Sequence, residues 1–150
     1  MITFSIGNNK LFMNHLLKEN LFDSFEVRKI ILHTFHKLHM GGARNMDFYT
    51  DFEKESLSEY ISWREIKPYI FDLIKGKKSP TYFKIILSTS SEDTKAISSE
   101  ISTFFLNITY KENIIQCTTG TAYSTFSLDK TPESLWDEKI KKFLISNQLV

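Results

Sequence analysis

The sequence has little of the residues that cross-link a chain or carry it through a membrane. Cys117 is its only cysteine, which excludes an intrachain disulfide scaffold. No stretch approaches the roughly 18 consecutive apolar residues of a membrane span. The opening segment MITFSIGNNK lacks the basic and apolar regions of a signal peptide. We therefore expect a cytoplasmic protein that does not contact a membrane.

Residues that interrupt regular structure are also scarce, with 5 Gly and 3 Pro in 150 residues. Aromatic residues are abundant instead, with 13 Phe, 6 Tyr and 2 Trp. Few breakers and many rings predict long regular elements around an aromatic-rich core. There are more rings than one core readily hides, so we expect a homo-oligomer that pairs through strand edges such as TAYSTFSL or ITFSI.

Neither sign of charge dominates. The chain has 19 Lys and Arg and 18 Asp and Glu, which gives a formal net charge of +1. A protein that coats DNA is normally far more basic. Any contact with a nucleic acid would therefore have to come from a local patch of cations.

Three helix starts carry capping signals. Asn8 or Asn9 can cap the first helix, and Ser62 and Glu65 form a capping box for the second. Thr131 is predicted to cap the third, with Pro132 at its first position. The predicted helices lie near residues 9–18, 63–75 and 132–147. In the last helix the residues expected to face a sheet are Leu135, Ile140, Phe143 and Leu144. The tryptophans expected to anchor helices to that sheet are Trp63 and Trp136.

The segments between these helices are rich in β-branched and aromatic residues and predict strands. Residues 25–39 form one predicted strand, Gly41-Gly42 supply a turn, and ARNMDFYT pairs back. Residues 51–59 and 90–99 are interpreted as polar connections. A meander follows the middle helix, with the predicted strands TYFKIILST, STFFLNITY, NIIQCTTG and TAYSTFSL. The result is a single α+β domain over residues 1–150 with a largely antiparallel sheet, in the order βαβββ-αββββα. The twice-occurring order of strand, helix and strands is similar to one domain of the ring-shaped sliding clamps.

The segment LIKGKKSP combines glycine and lysine as nucleotide-binding loops do. A P-loop needs a glycine five residues before its Gly-Lys pair and runs from strand to helix. Here Phe71 occupies that position and the order is helix to strand. We interpret Lys75, Lys77 and Lys78, called the lysine knuckle below, as cations at a helix C-terminus with Gly76 at the cap. The knuckle is the candidate binding site for an anionic partner such as DNA backbone.

His33, His36 and His39 suggest a metal site. On one strand His33 and His39 would lie about 20 Å apart, with His36 on the opposite face. A single strand cannot bring all three to one metal ion. Cys117 lies where strand alternation predicts an inert, buried residue. We predict no metal, no cofactor and no catalytic residue.

Four segments together resemble an uncharacterised family of small proteins from Gram-positive anaerobes: FDSFEVRKIILHTFHKLHMGG, WREIKPYIFDLIKGKKSPTYFKIIL, NIIQCTTGTAYSTFSLDK and LWDEKIKKFL. The resemblance covers nearly the whole chain, and its most recognisable parts are IKGKKSP and CTTGT. It implies a single domain, and it implies no activity and no catalytic residues. Relatives are expected to carry an acidic residue near Gly41-Gly42, where this chain has Met40.

These patterns predict a binding module that is not an enzyme and whose partner is a protein or a nucleic acid. Two alternatives stay open at this point. One is a DNA-associated module similar to a sliding clamp, and the other is a metal-dependent hydrolase that uses His33, His36 or His39.

Overall fold

The computed structural model describes residues 1–150 and shows an α+β protein built on one six-stranded sheet. The strands are β1 (Thr3–Ser5), β2 (Glu26–His33), β3 (Lys37–Gly41), β4 (Tyr82–Ser88), β5 (Ile101–Lys111) and β6 (Ile114–Tyr123). They lie in the order β1-β6-β5-β4-β2-β3, and each neighbouring pair is antiparallel. The predicted fold class is confirmed.

Five α-helices accompany the sheet: α1 (Asn9–Leu17), α2 (Asp51–Lys54), α3 (Trp63–Ile74), α4 (Ser91–Ile97) and α5 (Thr131–Ser146). The three predicted helices are α1, α3 and α5, and their bounds agree to within one residue. The prediction missed α2 and α4. The predicted order of elements was therefore wrong in the segment before α3 and in the segment between α3 and α5. None of the five helices has the length and apolar character needed to cross a membrane.

Side-chain caps explain where the helices begin. Asn8 caps α1, and Ser62 and Glu65 form the predicted capping box of α3. Thr131 is not the cap of α5 but its first residue, so this part of the prediction was wrong. The backbone N–H of Thr131 donates to the carboxylate of Asp129 at 2.9 Å, which supplies the missing acceptor from two residues upstream.

The segment 25–39, predicted to be one strand, folds as a hairpin. Residues 34–36 reverse the chain, and His33 pairs with Lys37. Gly42 does not form the predicted turn but continues beside β2, where its N–H donates to the carbonyl of Arg28. A Cβ at this position would clash with the carbonyl oxygen of Val27. Close backbone approach requires glycine just as a tight turn does. The predicted strand ARNMDFYT is absent apart from one bridge between Ala43 and Tyr60, and it contains a 3-10 turn instead.

The predicted strands NIIQCTTG and TAYSTFSL form one strand, β6, followed by a loop. Because β6 lies between β1 and β5, TAYSTFSL is not the outer strand that the sequence led us to expect. The outer strands of the sheet are β1, which contains part of ITFSI, and β3.

A cluster of 23 buried hydrophobic residues lies between the helices and one face of the sheet. Trp63 and Trp136 belong to it, and their indole N–H groups donate to the carbonyls of Leu16 at 2.7 Å and Phe105 at 2.9 Å. Both tryptophans therefore anchor helices to the core, as predicted.

In α5 the buried face differs slightly from the prediction. Ile140 and Leu144 are buried and Phe143 packs against the cluster, as predicted. Leu135 is 51% exposed, and Trp136 takes the core position in its place. The prediction for Leu135 was wrong because the apolar stripe of the helix is offset by one residue.

The buried hydrophobic side chains of α1, α3 and α5 belong to this cluster. They do not pack on the opposite face of the sheet, which is called the open face below. Its side chains contact one another across the strands. The rings of His33 and Tyr82 have centroids 5.2 Å apart, and the hydroxyl oxygens of Thr3 and Thr118 lie 3.0 Å apart.

Candidate anion-binding site

One end of the sheet, called the lysine end below, gathers loops from four parts of the chain. His33, Tyr82 and Lys111 lie side by side there on β2, β4 and β5. The start of α1 joins them, because the Asn9 amide donates to the carbonyl of Asn113 at 2.7 Å. The cations at this end are Lys10, Lys37, Lys75, Lys77, Lys78 and Lys111, and the carboxylates are Asp72 and Glu112.

The lysine knuckle lies where the helix-ending residues predicted it. The Lys75 N–H donates to the carbonyl of Phe71 at 2.8 Å, and Gly76 follows with φ +133°, which favours glycine. All three knuckle lysines are exposed. Lys75 lies 3.1 Å from Asp72, whereas Lys77 and Lys78 form no salt bridge. Two full positive charges are therefore presented to solvent.

A cleft of about 430 Å³ lies on one side of the knuckle, between α1 and the end of α3. The charged residues that line it are Lys10, Lys18 and Lys75, and no carboxylate lines it. Apolar side chains complete the lining, including Phe83 and Tyr110, whose rings stack 5.2 Å apart and 9° from parallel. Its size is that of a small-molecule site. The cleft can accept an anion that also carries an apolar part.

A second depression of about 370 Å³ lies on the other side of the knuckle. The hairpin turn contributes Thr34 and Phe35 to its lining, and Phe35 is 91% exposed. The two depressions share Lys75 and Gly76. The knuckle is therefore a cationic ridge between two concave surfaces.

The opposite end of the sheet is acidic. Glu26 begins β2 there, pairs with Ser88 and bridges to Ser62. Burial raises the pKa of Glu26. The acidic residues in the connections and helix starts at this end are Asp47, Asp51, Glu53, Glu55, Glu59, Glu92, Asp93, Glu100 and Asp129. The cations at this end are fewer than its carboxylates and comprise Arg28, Arg44, Lys54, Arg64, Lys95 and Lys130. The small net charge of the chain thus conceals an excess of positive charge at one end of the sheet and of negative charge at the other.

An ion pair at the acidic end holds the connection between β3 and α3 against the first turn of α3. Arg44 donates to both carboxylate oxygens of Glu65, at 2.7 and 3.0 Å, and to the carbonyl of Ser58 at 2.9 Å. The Arg44 hydrogen bonds hold the pKa of Glu65 well below its usual range, at about 2. Because Glu65 also forms the cap of α3, this pair fixes a loop to a helix start and has a structural role.

The structure places His33 and His39 close together, so the predicted separation of about 20 Å was wrong. Because residues 34–36 reverse the chain, the two imidazoles lie on adjacent strands with ring centroids 6.1 Å apart. His36 lies in the turn against Phe35. No group of three or more His, Cys, Asp or Glu side chains is arranged to hold a metal ion. Partial burial, together with the neighbouring Lys37 and His39, lowers the pKa of His33.

Cys117 is fully buried on β6, as strand alternation predicted. Burial raises the pKa of its thiol to about 12. The thiol is therefore protonated at neutral pH, and a protonated thiol is a poor nucleophile and metal ligand.

Sequence reasoning found the knuckle but missed the other cations at the lysine end. Lys10, Lys37 and Lys111 come from segments far apart in the chain. They reach one end only because β3 pairs with β2, β2 with β4 and β4 with β5, and because the start of α1 contacts Asn113. The signal that was available is local: Lys37 and Lys111 each neighbour a residue that packs against the core, Leu38 and Tyr110. Alternation places such lysines on the open face.

The fold and this surface define an α+β protein whose helices cover one face of an antiparallel sheet and whose exposed cations gather at one sheet end. A family model described as a family of unknown function, DUF5721, matches residues 15–150. The chain belongs to this family, which agrees with the resemblance to an uncharacterised family. No curated protein and no solved structure matches the chain.

Proposed function

We propose that the protein is a binding module whose lysine knuckle contacts the phosphate backbone of a nucleic acid. The observation that carries this proposal is the separation of charge. Six lysines and two carboxylates lie at one end of the sheet, and the acidic residues gather at the other. Lys77 and Lys78 form no salt bridge that a phosphate would have to displace.

An extended, repeatedly charged ligand suits the spread of these lysines better than a small anion. Lys37 on β3 and Lys111 on β5 are three strand spacings apart, which is about 14 Å. The knuckle directly precedes the start of β4, and β4 lies between β3 and β5 in the sheet order. A nucleic acid strand carries a charge about every 3.4 Å along the duplex axis, so one strand can reach several of these cations at once. The acidic end repels the same ligand and orients its approach.

Fluorescence anisotropy with labelled DNA at low salt tests the proposal. The test variant is Lys75→Gln/Lys77→Gln/Lys78→Gln. Its control removes the same charge from exposed lysines of α4 and α5, as Lys95→Gln/Lys139→Gln/Lys142→Gln. We expect the knuckle variant to weaken binding at least about tenfold and to lower the salt slope by up to about 3, one for each phosphate that a lysine no longer neutralises. Equal effects of the two variants, or no binding of DNA at low salt, would contradict the proposal.

The alternative of a clamp-like module keeps one supporting observation. The order strand, helix, strand, strand occurs twice, as β1-α1-β2-β3 and as β4-α4-β5-β6. Both halves contribute to one sheet, in which β4 lies between β2 and β5. A clamp needs further copies or domains to close a ring, so this alternative requires self-association through the outer strands β1 or β3. Light scattering at micromolar concentration tests it, and a monomer mass would exclude it.

The hydrolase alternative has less support, because His33 and His39 have no third ligand near them. We do not propose it. The cytoplasmic location and the origin of the family in Gram-positive anaerobes stay predictions.

A further inference from the structure

The open face of the sheet carries charge of one sign over most of its area. Strand register places four lysines on it: Lys29, Lys37, Lys84 and Lys111. Each is next in sequence to a residue of the core or packed against it, so each points away from the core. The only carboxylate that the register places on this face is Glu26, at the acidic end.

Three of these lysines form a line across adjacent strands. Lys29 on β2 lies opposite Ile86, two residues from Lys84 on β4. Lys84 lies opposite Thr109, two residues from Lys111 on β5. Such diagonal neighbours are about 7–8 Å apart. Both steps run toward the lysine end, so the line crosses three strands in one direction and reaches that end at Lys111.

Rings and apolar side chains lie on both sides of this line. Tyr82 neighbours Lys111 and packs against His33 with the two ring planes tilted by 45°. The Arg28 guanidinium lies 5.5 Å from the centre of the Phe105 ring. His33 Nε2 is buried and has no hydrogen-bond partner. Rings on a cationic surface are the usual platform for the bases of a single strand.

The shape of the open face argues against a duplex. The major groove of DNA is about 12 Å wide and admits a helix or a two-stranded ribbon. Six strands at about 4.8 Å spacing form a surface roughly twice as wide. A single strand has unpaired bases that can lie on such a surface while its phosphates face the lysines.

We propose that the open face binds single-stranded nucleic acid, with its phosphates along Lys29, Lys84 and Lys111 and its bases against Tyr82 and the neighbouring side chains. This inference rests on the proposed function, because it names the kind of nucleic acid and gives its path. The strand leaves the sheet at the lysine end, where the knuckle contacts its next phosphates.

The test compares a labelled single strand of about 12 nucleotides with a duplex of the same length. Three variants are used, each with three Lys→Gln changes: the open-face variant at Lys29, Lys84 and Lys111, the knuckle variant, and the α4 and α5 control. Thermal unfolding checks that each variant is folded. We expect the wild-type protein to bind the single strand more tightly than the duplex. The open-face variant should weaken single-strand binding at least about tenfold, and Lys→Arg at the same positions should restore it.

A Tyr82→Leu variant separates stacking from charge. It should weaken single-strand binding about 5- to 150-fold and leave the salt slope unchanged, because it removes no cation. If the affinity of this variant is unchanged, no base stacks on Tyr82, and the proposed path is wrong.

The outcomes separate this inference from the proposed function. If the open-face variant binds DNA as well as the control does and the knuckle variant binds more weakly, the inference is overturned. The proposed function is then still supported. The reverse result supports the open face and contradicts the role of the knuckle. Wild-type protein that binds neither DNA contradicts both. Binding of anionic lipid vesicles in place of DNA, abolished in the open-face variant, would also overturn the inference.

Discussion

Replacing Arg44 by Met should destabilise the fold by removing the best-connected cation at the acidic end. The Arg44 side chain is only 4% exposed and binds both carboxylate oxygens of Glu65, at 2.7 and 3.0 Å. It also donates to the Ser58 carbonyl and the Tyr49 hydroxyl. Methionine fills similar volume but supplies no donor, so the drop in stability reports the hydrogen bonds and the charge.

The expected loss of stability can be worked out from the pair. Lowering the pKa of Glu65 from 4.5 to about 2 corresponds to about 3.4 kcal/mol, at about 1.36 kcal/mol per pKa unit. Arg44 is the largest cause of this shift, and the hydrogen bonds from Ser62 supply part of it. Glu65 is 43% exposed, and solvent screening reduces this to about 1–2 kcal/mol. Breaking a fully buried pair would cost about 3–5 kcal/mol. We therefore expect a loss of about 2 kcal/mol in the free energy of unfolding at pH 7.

The loss should depend on pH in a defined direction. Because the pKa of Glu65 is lower in the folded state, the pair stabilises the fold fully above pH 4.5 and progressively less as pH falls toward 2. Urea unfolding of wild type and Arg44→Met at pH 7 and near pH 2 measures the difference, which should shrink in acid. Lys54→Met is the control, because its pair with Asp51 is long and exposed, and it should cost less than about 0.5 kcal/mol. An Arg44 loss no larger than that of the control, or one that does not shrink in acid, would refute this reasoning.

Two further predictions concern the core. In the folded protein Cys117 should react with a thiol reagent at pH 8 only as fast as the protein opens, because its pKa of about 12 and full burial keep it protonated and inaccessible; rapid reaction of the native protein would contradict this. Ile140→Ala should cost about 2–5 kcal/mol of unfolding free energy, whereas Leu135→Ala, on an exposed side chain of the same helix, should cost less than about 1 kcal/mol. Equal losses by urea unfolding would show that the buried face of α5 is assigned wrongly.

The helices that the sequence predicted are those in which a contiguous cap is followed by buried apolar residues. Asn8 lies next to α1, and Ser62 and Glu65 lie within one turn of each other, so these caps need no knowledge of the fold. The α2 helix has a capping box of Thr50 and Glu53 but only four residues and no buried one, and it was missed. The α4 helix was missed because it is short and polar, and its only buried residue is Thr94. It has a Ser90 cap but no apolar stripe, so packing against β5 decides its conformation.

The strands were predicted less well. A chain reversal can form without the usual turn residues, and a glycine can be required by close backbone packing as well as by a turn. The reversal at residues 34–36 contains no Gly, Pro, Asn or Asp, so nothing in the sequence marks the hairpin that brings His33 to His39. Gly42 was taken for a turn because its actual constraint, the backbone of Val27, lies fifteen positions away in sequence.

The candidate site also has one part that local sequence predicted and one part that it did not. The knuckle is contiguous and was found from Gly76 and its lysines alone. Lys29, Lys84 and Lys111 form a line only once β2 is placed beside β4 and β4 beside β5. Strand alternation assigns each lysine to a face, but the order of strands in the sheet is long-range information that no local pattern contains.

The most direct test of nucleic-acid binding by this protein is the salt dependence of its affinity for a single strand. Contacts with three to six phosphates predict that log K falls with log salt with a slope of about −2 to −4, at about 0.7 per phosphate of a single strand. Anisotropy titrations of the wild-type protein from about 50 to 200 mM salt measure that slope. A slope in this range supports phosphate binding by the lysine end and the open face. No binding at low salt, or an affinity that does not change with salt, would contradict it.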